Sequence, residues 1–236
     1  MSEKKKPKAN PYETVLGQLQ EKKNLKESEV ARLRDFVNRV GWVESKNDPA
    51  ALQTDGGPGR GEFQFEQSGK KGSSATLKTR MGTYKQLYGE IPLSEADRKE
   101  MSKANPDLSK VSQEGQRALV LVDWTIKTKG DEVGELARGE YPPREFWLRF
   151  HWAGKPEERP KKGAQWDREM KDFMRVQERK QMEEDLRAQE SAQQAAAPQV
   201  MAQPFSFFGA PEQQKEEDLV SRYLAGLTQP QGMMRG

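Results

Sequence analysis

The stretch Gly41–Gln67, GWVESKNDPAALQTDGGPGRGEFQFEQ, sets a Glu-Ser pair at the end of an amphipathic pattern, Pro49 four residues past the serine, and a glycine-dense loop closing on Gly61-Glu62-Phe63-Gln64. Upstream, Leu33, Val37 and Val40 keep the i, i+4, i+7 spacing of one apolar stripe, with Ser28 as its expected capping residue. Glu44 continues that stripe: at about 100° per residue it falls within about 40° of Val37 and Val40. Its carboxyl therefore faces whatever the valines pack against. Burial disfavours the ionised form, and so does the negative end of a helix macrodipole, so both push the pKa of Glu44 up.

A carboxylic acid held protonated near neutrality is what glycosidic cleavage requires, because the departing sugar oxygen must receive a proton. Gly56, Gly57, Gly59 and Gly61 around Pro58 would let backbone approach a bulky polar ligand such as a glycan. Taken alone, the same glycines read as a surface turn.

Glu44-Ser45, Pro49 and Gly61-x-x-Gln64 resemble the signature of the lytic transglycosylases (soluble lytic transglycosylase-like, lysozyme superfamily), which runs Glu-Ser, Pro, then Gly-Leu-Met-Gln. The match covers about a tenth of the chain. A weaker echo lies in Phe150-His151-Trp152-Ala153-Gly154, where the family has Ala-Tyr-Asn-Ala-Gly. This chain departs in a slightly longer loop before Gln64, in Glu62-Phe63 for Leu-Met, and in His151-Trp152 for Tyr-Asn. The resemblance implies a mainly α-helical, lysozyme-like domain cutting the bond between N-acetylmuramic acid and N-acetylglucosamine. Glu44 would be general acid and then general base, closing a 1,6-anhydro ring. It further implies that Ser45 orients Glu44, and that Gln64, His151, Trp152 and the Gly59–Gly61 backbone meet the peptidoglycan strand. A lysozyme-type hydrolase would need a second group to hold water; Asp48, Asp55, Glu62 and Glu66 are near in sequence, although Asp48 also reads as a turn residue and Glu62 and Glu66 as solvent-facing.

The sole histidine, His151, sits among Trp147, Phe150 and Trp152 and reads equally as a hydrogen-bonded packing residue. With no cysteine, one histidine and no EF-hand spacing, the usual metal donors are missing, and no metal or cofactor is expected. Trp147, Trp152 and Trp166 are candidates for stacking on sugar faces, with core packing the expected fate of two of them.

Only 33% of the 236 residues are hydrophobic and the mean hydropathy is −1.03, so one compact domain with polar, partly disordered extensions is expected. No apolar run is long enough for a membrane span, and the start, MSEKKKPKA, has no export-signal core. The net charge of +3 is spread along the chain instead of being clustered with aromatics, which argues against nucleic-acid binding.

The predicted organisation is a basic tail over 1–25, the enzyme domain over 26–175, a helical extension over 176–190, a linker rich in Gln, Ala and Pro over 191–213, and an amphipathic docking segment over 214–236. Within the domain, 68–80 reads as an exposed connection before a short helix near Thr83–Tyr88. Gln116–Lys127 reads as a buried central helix capped by Ser112 and stopped by Gly130, or as a strand. Pro142-Pro143 opens a helix ending near Gly154, and a charged helix runs from Ala164 to about Gln189. The apolar cluster Pro204–Phe208 and the tail suggest tethering to other virion proteins, and hence a phage particle that opens the wall on entry. A non-catalytic scaffold is the competing class.

Overall fold

The computed structural model describes residues 9–53, 58–67, 73–152 and 154–196. The expectations for residues 1–8, Asp55, Gly56, Gly57, Ala153 and everything after 196, including the tail and its docking segment, lie outside the described residues. The chain divides into two compact units, Met1–Arg187 and Ala188–Gly236, and the described residues of the second continue a helix.

The architecture is mainly helical, as the sequence predicts. Its helices are α1 (Pro11–Lys23), α2 (Glu27–Ser45), α3 (Ser73–Tyr88), α4 (Glu95–Ser102), α5 (Gln113–Lys127), α6 (Asp131–Arg138), α7 (Pro143–Phe146) and α8 (Arg159–Ala196). Between α2 and α3, strands β1 (Gly59–Arg60) and β2 (Phe65–Glu66) pair antiparallel, Gly59 opposite Glu66 and Arg60 opposite Phe65. Leu52 bridges the other edge of Arg60.

The gap between the two readings of residues 116–127 closes in favour of helix: α5 is buried on nearly every side and packs against α1, α3 and α6. Ser112 caps it, accepting from the Gly115 N–H at 3.1 Å. Gly130 is not its stop. α5 ends at Thr128, and Gly130, at φ 81°, begins α6.

The predicted basic tail ends earlier than residue 25. Tyr12, Val15, Leu16 and Leu19 form an i, i+3, i+4, i+7 stripe, all buried, and α1 lays it on α5. Asn10 starts this helix by accepting from the N–H groups of Tyr12 and Glu13, and Pro11 fits its first position. The exposed connection expected over 68–80 is likewise shorter, because α3 begins at Ser73 and buries Leu77 and Tyr84. Ser28 does not cap α2: the cap position falls two residues sooner, at Lys26, and the Glu29 carboxylate accepts from the Lys26 N–H at 2.8 Å.

After α7 the chain widens into a π turn, Trp147–His151, closed by the Trp152 N–H donating to the Trp147 carbonyl at 2.9 Å. Phe36 of α2 meets Trp124 of α5 and Phe146 of α7 at ring-centroid distances of 5.3 and 5.4 Å. This aromatic knot packs the middle of α2 against α5 and against α7, from which the π turn runs on.

Candidate functional site

Glu44 is the penultimate residue of α2, and the backbone turns sharply after it. Lys46 and Asn47 both take left-handed φ values, 60° and 63°, and their N–H groups satisfy the Trp42 and Gly41 carbonyls. The chain then drops into the loop and hairpin, leaving a cleft of about 550 Å³ with Glu44 in its lining. One wall is the hairpin, with Phe63, Gln64 and Glu66; another is the π turn, with His151 and Trp152; a third is α8, with Lys162, Gln165 and Glu169.

The Glu44 side chain is 19% exposed. Trp147 donates its indole Nε1–H to Glu44 Oε1 at 2.8 Å, and His151 Nε2 lies 3.6 Å from the same oxygen. Burial raises the Glu44 pKa to about 7, against the lowering influence of the Trp147 hydrogen bond and the Lys162 ammonium. The carboxyl thus sits where both protonation states are populated near neutrality.

His151 is buried and stays neutral. Trp124 donates its Nε1–H to His151 Nδ1 at 3.3 Å, so Nδ1 is the acceptor and the proton resides on Nε2, which faces the Phe63 carbonyl and Glu44. Burial, together with the nearby Lys127, lowers its pKa to about 3. Both alternatives read from the sequence meet here: His151 is a hydrogen-bonded packing residue, and it lines the cleft beside Glu44.

Ser45 lines the cleft, but its hydroxyl is directed elsewhere. It reaches the Glu62 carbonyl at 2.9 Å and the Gly41 carbonyl at 3.2 Å, and it accepts from the Asp48 N–H at 3.1 Å. Its role in this arrangement is to tie the end of α2 to the hairpin. Gln64 faces the cleft from a left-handed φ of 49°, braced by its Nε2–H donating to the Gly61 carbonyl at 2.9 Å. Gly59 and Gly61 do not line the cleft. Gly61, at φ 76°, is buried where a Cβ would come within 2.3 Å of Gln116 Oε1, so the glycine makes room for a protein side chain instead of a ligand.

Glu62 is the residue least like its sequence reading. Instead of facing solvent it is fully buried, and Arg117 of α5 holds it through Nε at 3.2 Å to both oxygens and through a terminal nitrogen at 2.9 Å to Oε1. Gln116 accepts from the Glu62 N–H at 2.6 Å and donates to the carbonyls of Pro49 and Val111 at 2.8 Å each. Two neighbouring α5 residues therefore position the whole loop. Asp48 is exposed and accepts from the Ala50 N–H at 2.9 Å, the turn-shaping role expected of it.

Of the three tryptophans, Trp147 and Trp166 are core residues at 1% and 4% exposure, stacked at a tilt 5.3 Å apart, while Trp152 lines the cleft. Trp147 as the donor to Glu44, the Glu62–Arg117 pair and Lys162 were all missed from sequence. Among the described residues no group of three or more His, Asp or Glu is placed to hold a metal ion. No helix of the described residues is long and apolar enough to cross a membrane.

No family model matches this chain, and neither a curated protein nor a solved structure does.

Proposed function

We propose that this protein is a peptidoglycan lytic transglycosylase that cuts the β-1,4 bond between N-acetylmuramic acid and N-acetylglucosamine with Glu44 as its one acid/base. The observation that carries the reading is a single carboxyl, raised to about 7, inside a cleft with an indole donor on the same oxygen. In the first step protonated Glu44 gives its proton to the glycosidic oxygen as the bond to muramoyl C1 breaks. The carboxylate left behind keeps the Trp147 N–H, which favours the charged form. In the second step that carboxylate takes the proton of the muramoyl C6 hydroxyl while O6 bonds to C1. The anhydro ring forms, Glu44 is protonated again, and no water is consumed.

The rest of the cleft suits this economy. A hydrolase with a general base needs a free carboxylate to hold water. Glu62 is buried on Arg117, Asp123 of the lining is paired with Arg80 and Lys127, and Glu169 is paired with Lys46, while Glu66 also lines the cleft from the hairpin. His151, uncharged, adds no positive field to drive the Glu44 proton away. The setting proposed with this chemistry is a phage virion that opens the wall locally, its C-terminal residues serving assembly; the apolar Pro204–Phe208 cluster in a polar stretch supports that use.

Incubating the protein and its Glu44→Gln variant with peptidoglycan sacculi, and identifying released muropeptides by mass spectrometry, tests the reading. Anhydro-muramoyl ends that vanish in the variant are expected. Reducing ends would overturn the lyase chemistry in favour of a hydrolase, and no products from either protein would favour a scaffold.

A further inference from the structure

The lysines lining the cleft are paired with carboxylates, with one exception. Lys46 is paired with Glu169 and, at 3.5 Å, with Asp172, and its ammonium lies 4.6 Å over the Trp42 ring. Lys127 is paired with Asp123 at 2.6 Å and donates to the Phe150 carbonyl at 2.9 Å. Lys162 forms no ion pair with any of the described carboxylates. Its Nζ donates to the neutral Gln165 Oε1 at 3.0 Å, one turn further along α8, and both side chains line the cleft.

An unbalanced ammonium in this place works against the chemistry beside it. Its field lowers the pKa of Glu44, which the first step needs protonated. A neutral residue at 162 would serve the acid better. The cation is explained if something negative arrives with the substrate. Lys162 keeps two N–H donors after its bond to Gln165, and the Gln165 amide adds more, so together they present a forked donor set suited to a carboxylate. Once such a group is bound, the positive field at Glu44 is neutralised as well.

On the reading of the site as a peptidoglycan lyase, on which this step rests, the anion is at hand: muramoyl residues carry a peptide branch with free carboxylates, whereas the sugars themselves are uncharged. We infer that Lys162, with Gln165 beside it, is a specificity-determining residue that binds a carboxylate of the peptide branch, so that the enzyme prefers strands whose peptide carboxylates are free.

The test uses the full chain on two substrates, glycan strands with their peptides and the same strands with the peptide carboxylates converted to methyl amides, so that the lactyl carboxyl stays amide-bonded in both, with anhydro products quantified by mass spectrometry. The wild-type kcat/KM is expected to be about tenfold higher on strands with free peptide carboxylates, the scale of one charge-assisted hydrogen bond, with the difference mainly in KM. Lys162→Met is expected to erase that ratio and Lys162→Arg to keep most of it. Because the ratio compares two substrates on one enzyme, any effect of the substitution that is common to both substrates cancels. A ratio near one in the wild type, or an undiminished ratio in Lys162→Met, overturns the inference while leaving the lyase intact. Cleavage of neither substrate overturns the lyase and the inference with it.

Discussion

Trp147 Nε1 and Glu44 Oε1 lie 2.8 Å apart although 103 positions separate the two residues in the chain. The indole is buried in the core, so this donor cannot swing away when the carboxyl changes charge. It favours the carboxylate, and it is the strongest force opposing the upward push of burial.

Replacing Trp147 with Phe is expected to move the Glu44 pKa further above 7, because the donor that favours the charged form is gone. The alkaline limb of the pH profile of kcat/KM should move to higher pH, with kcat reduced. An unmoved limb would mean that the indole has no hold on the proton. Thermal unfolding of the variant separates this effect from lost packing.

The same carboxyl makes stability depend on pH in a defined direction. Its pKa rises on folding from 4.5 to about 7, so the folded state binds more protons across that interval. Its contribution is fully present below pH 4.5 and is lost as pH rises through 7. Glu44→Gln keeps an oxygen to accept from Trp147 and removes the burdened charge. The variant should therefore be more stable than wild type by about 3 kcal/mol at pH 8 and nearly equal to it at pH 4, measured by denaturant titration at both values. Equal differences at the two pH values would contradict a raised pKa.

His151 is the only histidine in the chain, so its imidazole resonances need no assignment by mutation. Nitrogen-edited NMR should show the Nε2–H tautomer and no titration between pH 8 and 5, consistent with a pKa lowered from 6.5 to about 3. Since folding depresses this pKa, the stability that neutral His151 supplies is present above pH 6.5 and is lost as pH falls towards 3. A titration midpoint near 6.5 would mean the ring is not sealed against Trp124.

Glu62→Gln leaves the Arg117 guanidinium, 18% exposed, without its counter-charge, and is expected to destabilise the fold by about 3 kcal/mol. Arg117→Met should cost a similar amount, and the double replacement by methionines should cost less than the sum, as a double-mutant cycle reads out. Strict additivity would deny the pair its coupling.

The face that Glu44 would occupy was legible, because the valine stripe of α2 is local and periodic. So was α5, whose apolar run is too long to belong on a surface. The start of the domain was obscured by composition: the α1 stripe from Tyr12 to Leu19 is interleaved with Glu, Gln and Lys, and it follows a run of lysines. Glu62 looked like a surface residue because its partner is 55 positions away, and no local pattern announces a long-range ion pair. The glycines were legible as a need for space but not for whose benefit; at Gly61 the space is taken by Gln116. The roles of Trp147 and Lys162 depend on which way the π turn and α8 present them, and neither orientation is written in the spacing of the sequence.

The π turn ties this site to arithmetic more than to residue type. A widened turn holds one residue more than an α-helical ring would, and Trp147 and His151 stand at its two ends, both within reach of Glu44. Relatives that have drifted far in composition would still be recognisable by the count of residues between their indole and imidazole counterparts. Losing a single residue from 147–151 would tighten the ring and turn one of the two away, which makes a deletion there graver than most exchanges of side chain.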